Sequence, residues 1–332
     1  MTKNLKFIDL FAGIGGIRIG FESINAKCVF TSEIDKYARA SYFANFNEMP
    51  FGDITKIREQ DIPNFDILLA GFPCQPFSNA GKKMGFEDTR GTLFFHIARI
   101  IKHHMPKIIF LENVKGLKNH NQGKTFKIIQ NTLQEMGYNI FYEILNAKNF
   151  GVPQNRERIY IVAFLENLDF SFPKSINSKN KVGDILEKIV DPKYTISDKL
   201  WQGHQRRKEE HIKKGNGFGY SIFDENSPYT STISARYYKD GSEILIKQKN
   251  KNPRKLTPKE ASRLQGFPEN FKIVVSDNQA YKQFGNSVCV PVIKAIAKQI
   301  DIALNKPYKK YKLDELDLFN YQQYENRKII NY

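Results

Sequence analysis

The chain has 332 residues, of which 41% are hydrophobic and 26% are charged, a composition that excludes disorder as the default state. Fifty-one Lys and Arg against 35 Asp and Glu leave a net charge of +16, which favours a polyanionic partner such as nucleic acid or an acidic membrane surface. Three cysteines without a CxxC pair argue against a disulfide framework or a thiolate zinc site, and no apolar run approaches the length of a membrane span. We therefore expect a cytoplasmic protein.

Short apolar runs alternate with amphipathic stretches through the first half of the chain. The predicted strands are Leu5–Phe11, Lys27–Glu33, Phe65–Ala70, Lys107–Leu111 and Arg158–Phe164. The predicted helices are Ile14–Ile24, Lys36–Phe46, Thr92–His104 and Gly123–Met136. Strands and helices that alternate at this spacing predict βαβ units around a mixed, mostly parallel sheet, so the expected fold class is α/β.

The composition changes near Phe170. Residues 170–255 are polar and rich in turns, and they hold 18 Lys and Arg against 10 Asp and Glu. Helical patterns return at Pro258–Leu264 and at Val292–Leu304. This shift in composition predicts a second, smaller module that carries much of the positive charge.

A glycine-rich turn follows the first predicted strand. The segment from Phe7 to Gly16 reads FIDLFAGIGG, and glycines in such a turn let a ligand approach the backbone closely. Glu33, 20 residues after Gly13, ends the second predicted strand and suits a contact to ribose hydroxyls. Arg18 stands where a dinucleotide fingerprint needs its third glycine, which disfavours a dehydrogenase. A nucleoside cofactor without a pyrophosphate, commonly S-adenosylmethionine, fits better, and the alternative is a turn whose glycines serve packing only.

Cys74 lies in the segment GFPCQPFS, just after the predicted strand Phe65–Ala70. Most free cysteines are small buried hydrophobic residues. A cysteine between two prolines in a polar loop is not a typical core residue, and nearby basic groups would favour its reactive thiolate form. Cys74 is therefore a candidate nucleophile.

Two acids lie at candidate strand ends, and the first, Asp53, comes just after a further possible strand around Phe51. Asp53 could accept a hydrogen bond from an adenine amino group, although the residues after it also suit the N-cap of a helix. Glu112 ends the strand Lys107–Leu111 and shares a sheet edge with Cys74 if both strands are parallel. A carboxyl group in such a cleft can be pushed toward neutrality and then donate a hydrogen bond. The alternative for Glu112 is a helix cap or a surface acid.

The segment QNRERIY leads into the predicted strand Arg158–Phe164. On an extended backbone Gln154, Arg156 and Arg158 project to one face. Two guanidinium groups on one face suit a carboxylate or a phosphate-bearing substrate, and a solvated strand end is the alternative.

Taken together, these segments resemble the motifs of the bacterial DNA cytosine-5 methyltransferase family, of the restriction-modification type. FAGIGG, GFPCQPFS, ENV and QNRERIY occur in the order seen in that family. Arg254–Thr257 with Arg263–Pro268 resembles its ninth motif, and Gln283–Val288 resembles its tenth. The resemblance covers nearly the whole chain except residues 171–250 and the tail.

The resemblance implies a Rossmann-like, S-adenosylmethionine-dependent methyltransferase domain with a smaller DNA target-recognition domain. Residues 1–170 and 275–332 would form the catalytic and cofactor-binding domain. It would be discontinuous, because the tenth motif belongs to the cofactor domain. Residues 171–274 would form the target-recognition domain.

The resemblance also implies sequence-specific methylation at C5 of a cytosine that is flipped out of duplex DNA. Cys74 would attack C6, Glu112 would contact N3 and the exocyclic amine, and Arg158 would hold the cytosine and orient Glu112. Arg156 would assist at the site, and the loop after Cys74 would close on the DNA. The implied catalytic residues are Cys74, Gln75, Ser78, Glu112, Arg156 and Arg158.

The implied cofactor is S-adenosyl-L-methionine, with S-adenosyl-L-homocysteine as its product and no metal. Its implied contacts are Phe11, Ala12, Gly13, Ile14, Gly15, Gly16, Glu33, Ile34, Asp53, Ile54, Pro73, Leu93, Asn286, Ser287 and Val288. At the position of Ile34 some relatives carry an aromatic residue that stacks on adenine, and a branched aliphatic side chain can still cover the ring.

The implied partner is double-stranded DNA, which the basic region 171–274 would read. Arg or Lys side chains there can donate to guanine in the major groove or neutralise phosphates. The candidate DNA contacts are Arg206, Arg207, Lys214, Tyr220, Arg236, Tyr237 and Lys239. Arg236 is the first choice for a base contact, and the alternative is that it packs under Tyr237 or meets a phosphate. A restriction endonuclease encoded nearby would act alongside a monomeric enzyme at the nucleoid, without a stable complex.

Two other functions stay open from the sequence. One is an RNA cytosine-5 methyltransferase that acts on transfer RNA with the same scaffold, although the long basic segment favours a DNA reader. The other is a catalytically silent DNA-binding module, against which the intact Cys74 and Glu112 argue.

Overall fold

A six-stranded sheet organises the larger part of the chain. The computed structural model describes residues 4–73, 93–176, 179–217 and 219–305. The strands of this sheet are β1 (Lys6–Leu10), β2 (Lys27–Ser32), β3 (Ile67–Gly71), β4 (Ile108–Val114), β5 (Asn139–Asn146) and β6 (Glu157–Phe164), in the order β2-β1-β3-β4-β6-β5. Strands β1 to β4 are parallel, and β6 is antiparallel to both of its neighbours. The predicted mixed, mostly parallel α/β sheet is confirmed.

Helices cover both faces of this sheet. The helices of the described ranges are α1 (Gly16–Glu22), α2 (Lys36–Phe46), α3 (Leu93–His104), α4 (Lys124–Glu135), α5 (Asp198–Lys213), α6 (Pro258–Leu264), α7 (Asp277–Asn286) and α8 (Val290–Asn305). Successive side chains of β1 enter different cores, since Phe7 packs with α1 and α8 while Ile8 packs with α3 and α4. Parallel strands buried on both faces explain the continuous apolar runs of the sequence. Across the described ranges, no helix is both long and apolar enough to cross a membrane.

The edge strand β5 is absent from the sequence prediction. Its segment NIFYEILN buries only Leu145 and exposes Glu143. The segment therefore lacks the apolar alternation that marks a half-buried strand. It is a strand because it pairs along its full length with β6, a contact that local sequence does not reveal.

The C-terminal helix α8 returns to the first helix of the chain. A Cβ at Gly20 of α1 would lie 2.2 Å from Cγ2 of Ile293, so the two helices approach each other at a position that only glycine allows. Ile296 and Ile300 of α8 are fully buried in the same core as Phe7. Helix α8 therefore packs against α1 and β1, as the resemblance implied for the segment after the tenth motif.

The small module contains a helix that the sequence prediction missed. Helix α5 begins after Ser197, whose side chain accepts a hydrogen bond from the N–H of Leu200, and His204 is its only buried residue. A polar helix of this kind carries no apolar stripe, so its periodicity is invisible. A parallel pair of short strands, β7 (Ile222–Phe223) and β8 (Leu245–Ile246), accompanies it.

A third core joins this module to the turn after β1 and to helix α2. It brings Ile14 and Ala38 together with Ile233, Leu256 and Phe284. The two parts of the chain thus share buried apolar surface. The predicted boundaries after residues 170 and 274 stay a proposal.

Candidate active site

A cavity of about 460 Å³ opens at the carboxyl ends of β1 to β4. Ligand sites of open α/β sheets lie at this edge, because the loops that follow parallel strands meet there. The predicted cofactor residues that line the cavity are Phe11, Ala12, Gly13, Ile14, Gly16, Glu33, Ile34, Asp53, Ile54, Pro73, Leu93, Asn286, Ser287 and Val288. Glu112, Arg156 and Arg158 line the same cavity.

The glycine-rich turn adopts backbone conformations that favour glycine. Gly13 has a φ of 55° and Gly15 a φ of 84°, both in the left-handed region. Gly15 is not among the residues that line the cavity, and a Cβ there would lie 2.2 Å from the ring of Phe46. The structure therefore gives Gly15 a packing role at the start of α1, rather than the predicted cofactor contact.

Gly16 lets a distant part of the chain approach the turn. A Cβ at Gly16 would lie 2.8 Å from Cγ2 of Val288 and 2.9 Å from Oγ of Ser287. The turn after β1 and the segment after α7 are thus neighbours, and both belong to the wall of the cavity.

Glu33, which directly follows β2, is hydrogen-bonded to the glycine-rich turn that follows β1. Its Oε2 accepts a hydrogen bond of 2.8 Å from the N–H of Gly13, and its Oε1 accepts one of 2.7 Å from the N–H of Asp35. A carboxylate oxygen has two lone pairs, so both oxygens can still accept from a ligand. The predicted ribose contact remains a prediction.

Asp53 caps a short 3₁₀ helix, the alternative that its sequence neighbours favoured. Its Oδ1 accepts hydrogen bonds from the N–H and the hydroxyl of Thr55, and these bonds lower the pKa of Asp53.

Ile34 also lines the cavity, and 70% of this residue is exposed. An apolar side chain with that exposure is available to cover a flat ring.

Glu112 and Arg158 form an ion pair at the inner end of the cavity. Arg158 Nε lies 3.4 Å from Glu112 Oε1, and only 16% and 12% of the two side chains are exposed. Burial raises the pKa of Glu112 above its usual value, and the positive charges of Arg158 and Arg156 oppose that shift. The arrangement holds a carboxyl group that is easier to protonate than a surface glutamate.

Arg156 connects three segments of the chain. Its guanidinium donates hydrogen bonds to the carbonyl oxygens of Ile233 at 3.1 Å, Gly285 at 3.2 Å and Ser287 at 2.5 Å. Burial and the charge of Arg158 lower its pKa to about 10. These contacts give Arg156 a positioning role at the edge of the cavity, and the prediction that it assists at the site stays a prediction.

Cys74, Gln75 and Ser78 lie outside the described residues. The chain leads toward them from Pro73, which lines the cavity, and Asn113 Nδ2 holds the carbonyl of Phe72 at 2.8 Å. The other two cysteines are poor nucleophiles, because burial raises the pKa of Cys28 and of Cys289 to about 12. The prediction that Cys74 is the nucleophile stays a prediction.

The cavity also has lining residues that sequence reasoning missed. They are Ile17, Ser32, Asp35, Ala38, Gly52, Gly71, Phe72, Asn113, Val114, Gln279, Lys282, Gln283 and Gly285. Gln279, Gln283 and Asn286 recur at helical spacing along α7, and that periodicity could have identified the face of α7 that lines the cavity.

The polar atoms of this wall fit a polar cofactor. Oε1 of Gln279 and Nε2 of Gln283 are buried without a hydrogen-bond partner among the described residues. A buried polar atom without a partner costs free energy, so the wall favours a ligand with donors and acceptors. Within those same residues, no group of three or more His, Cys, Asp or Glu side chains is arranged to hold a metal.

The predicted DNA contacts fall into two groups. Arg206, Arg207, Lys214, Arg236 and Lys239 are exposed, and Tyr220 is half-buried against Trp201. The prediction for Tyr237 is wrong. Its ring is fully buried, and its hydroxyl donates to the carbonyl of Ile244 and accepts from the N–H of Leu256. Tyr237 is therefore a core residue.

Comparison with known proteins agrees with this geometry. The family model for C-5 cytosine-specific DNA methylases matches residues 5–301. Type II methyltransferase M1.ScrFI of Lactococcus lactis subsp. cremoris is 63% identical over 314 residues, which are 93% of this chain and 81% of that protein. Type II methyltransferase M.SsoII of Shigella sonnei is 64% identical over 301 residues, 89% of this chain and 79% of that protein. Among solved structures, a methyltransferase of Entamoeba histolytica has a TM-score of 0.76 at 25% identity, over 92% of this chain and all of that one.

The fold and the site thus define a methyltransferase of the Rossmann-like class. The chain belongs to the C-5 cytosine-specific DNA methylases and is a DNA cytosine-5 methyltransferase, as its motifs predicted. These matches do not favour the alternative functions that the sequence left open.

Proposed function

We propose that this enzyme is the modification methyltransferase of a restriction-modification system, and that S-adenosyl-L-methionine occupies the cavity at the carboxyl edge of the sheet. One observation carries the proposal. A single cavity joins the glycine-rich turn and Glu33 at one end to the Glu112–Arg158 pair at the other. A methyl donor and a cytosine ring would meet where these two ends converge.

Cytosine C5 is a weak nucleophile, so the enzyme has to activate the ring. In the proposed mechanism the Cys74 thiolate forms a bond to C6 while protonated Glu112 delivers its proton toward N3, which leaves C5 electron-rich. Burial of Glu112 favours the protonated form that this step needs. Arg158 fixes the orientation of the Glu112 carboxyl, and the N–H groups that do not donate to the Glu157 carbonyl would hold the cytosine carbonyl.

After C5 has accepted a methyl group, a base removes the C5 proton. The electron pair of that C–H bond restores the C5–C6 double bond, and Cys74 leaves as the thiolate. Neither step needs a metal ion. Glu112 takes its proton back from N3, so the enzyme ends in its initial state.

The bound cofactor supplies the electrophilic methyl group. Glu33 would hold its ribose, Ile34 would cover its adenine, and Asp53 would accept from the adenine amino group. The segment 286–288, which Arg156 positions, would complete the site from the opposite wall. Residues 171–274 would select the DNA sequence through the exposed basic side chains.

A bacterial enzyme of this kind works on cellular DNA in the cytoplasm, alongside an endonuclease that cleaves the same sequence when it is unmodified. We expect the methyltransferase to act as a monomer without a stable complex with that endonuclease. The type II methyltransferase names of its relatives support the assignment to a restriction-modification system.

The decisive experiment supplies the purified full chain with S-adenosyl-L-methionine labelled on its methyl group. We expect label in duplex DNA and none in transfer RNA. Bisulfite sequencing of DNA from cells that express the protein should then show protection of one cytosine within one short sequence. Transfer to transfer RNA alone, or protection without sequence context, would contradict the proposal.

A further inference from the structure

An ion pair crosses the wall of the cofactor cavity. Nζ of Lys282, on α7, lies 3.1 Å from Oδ2 of Asp35, at the start of α2. Both residues line the cavity, although 247 positions separate them in the chain. The two side chains are 45% and 33% exposed, so the pair lies at the solvent side of the wall.

Asp35 is directly connected to the proposed ribose contact. Its N–H donates to Glu33, and its Oδ1 accepts from the N–H groups of Tyr37 and Ala38. Burial would raise the pKa of Asp35, but these N–H groups and the Lys282 ammonium outweigh that effect and lower it. The carboxylate is therefore charged at neutral pH and available to Lys282.

Other contacts hold α2 against the α7 region farther along the helix. Ser41 Oγ donates to Oε1 of Gln283 at 3.0 Å, and the side-chain amide of Asn45 both donates to and accepts from the backbone of Lys272. These contacts anchor the later turns of α2. At the cavity end of the helix, Ala38 packs in the same core as Phe284 of α7, and the polar contact to α7 is the half-exposed ion pair, which water can compete for and break.

We propose that the Asp35–Lys282 ion pair holds the start of α2 against α7 across the cofactor cavity and so slows the release of the S-adenosyl cofactor and its product. We call this ion pair the clasp. The inference rests on the proposed function. Opening the clasp lets the segment 33–35 move away from α7, and that segment carries Glu33 and Ile34. Asp35 and Lys282 are positioning residues, because their charges neutralise each other rather than meet the reacting atoms.

The test measures release of S-adenosyl-L-homocysteine from the DNA-free full chain by stopped-flow displacement. Asp35→Asn keeps an N-cap acceptor for α2 but loses the charge, and Lys282→Gln removes the other partner. Each should release the ligand about two- to fivefold faster, the range that a partly exposed pair contributes. The double variant should release the ligand no faster than either single variant, because both substitutions break the same ion pair. Lys282→Arg should keep the slow release rate. High salt should abolish the difference in release rate between the wild type and the variants.

The chain offers a matched control on the same helix. Lys193 Nζ lies 3.1 Å from Oδ2 of Asp277, at the first turn of α7, and neither residue lines the cavity. Lys193→Gln should leave the release rate unchanged. Three results would overturn the clasp but leave the proposed cofactor site standing. They are wild-type release rates in Asp35→Asn and Lys282→Gln, additive effects in the double variant, and an equal effect of Lys193→Gln. A wild-type protein that binds no S-adenosyl-L-homocysteine would overturn the proposed cofactor site as well.

Discussion

Glu112 and Arg158 face each other across adjacent antiparallel strands, two residues out of register. The register pairs Glu112 with Tyr160 and Val114 with Arg158, so Glu112 and Arg158 share one face of the sheet as diagonal neighbours. Because β6 runs opposite to β4, the start of β6 lies beside the end of β4. An acid near the end of one strand and an arginine near the start of another therefore meet at 3.4 Å.

This pair predicts the behaviour of Glu112→Gln. Because the proposed step needs a protonated carboxyl, we expect methyl transfer to fall about 10²- to 10⁴-fold, with cofactor affinity nearly unchanged. Burial raises the pKa of Glu112, and the protonated form is lost as pH rises through that value. Wild-type kcat should therefore decline on the alkaline side, and the variant should lose this limb. Glu157→Gln, which breaks the exposed pair with Lys115, is the control and should retain normal kcat.

The assignment of Cys74 predicts that Cys74→Ala abolishes methyl transfer but retains binding of S-adenosyl-L-homocysteine and DNA. Loss of the thiolate removes the group that attacks C6. Labelled methyl transfer and equilibrium binding measure the two effects. Cys28→Ala and Cys289→Ala should keep transfer, since both thiols are buried and protonated. Turnover by Cys74→Ala would refute the covalent mechanism.

Arg156→Met should lower both stability and cofactor affinity. The substitution leaves the carbonyls of Ile233, Gly285 and Ser287 without their buried donor, and each unsatisfied group costs about 1–3 kcal/mol. Urea denaturation and S-adenosyl-L-homocysteine titration measure the two losses. Arg156→Lys should restore part of both. If methyl transfer disappeared while stability and cofactor affinity stayed normal, Arg156 would instead be a catalytic residue.

Asp9 predicts how stability depends on pH. It is fully buried, neither oxygen has a partner among the described residues, and burial raises its pKa to about 8. Between its ordinary value of 3.8 and about 8 the folded state keeps a proton that the unfolded state has lost. The contribution of Asp9 to stability is therefore complete in acid and is lost as pH rises through about 8. Asp9→Asn should be more stable than the wild type at pH 9 and should flatten this decline.

Asp66→Asn provides a control of opposite sign for the pH measurement. Burial opposes ionisation of Asp66, but Lys107 and the N–H of Lys6 outweigh it and lower the pKa. Its stabilisation is present at neutral pH and is lost as pH falls through that lowered value. Urea denaturation across the pH range should therefore show both variants departing from the wild type as pH rises, with Asp9→Asn more stable than the wild type and Asp66→Asn less stable. Identical pH profiles for Asp9→Asn and the wild type would refute the assignment of a protonated Asp9.

The exposed basic residues predict a salt effect on DNA binding. Arg206→Gln and Lys214→Gln should each weaken binding to non-cognate DNA and reduce the slope of log K against log salt by about one. Tyr237→Phe should leave this slope unchanged, because Tyr237 is buried, and should lower stability through lost hydrogen bonds. Fluorescence anisotropy over a salt series distinguishes the two outcomes. A normal slope in both charge variants would remove these residues from the DNA interface.

Sequence reasoning identified the cavity better than it identified the small module. The segments at the ends of β1, β2 and β4 are recognisable from local patterns of glycine and acidic residues. They lie close together because the carboxyl ends of parallel strands share one edge of the sheet. Helix α5 and strand β5 lack such patterns. The first is a polar helix with one buried residue, and the second is an edge strand held by pairing with β6. Both depend on contacts with distant parts of the chain.

By itself the sequence determined the family, the α/β class and the segments that surround the cavity, because a tight turn needs glycine and a strand end can present an acid without help from elsewhere. The tertiary structure decided what each polar side chain meets. Arg156 binds carbonyls up to 131 residues away, and Tyr237 lies in a core although it stands in a polar, basic segment. Burial is a property of the packed chain, and for these two residues it separates a structural role from a contact with ligand or DNA.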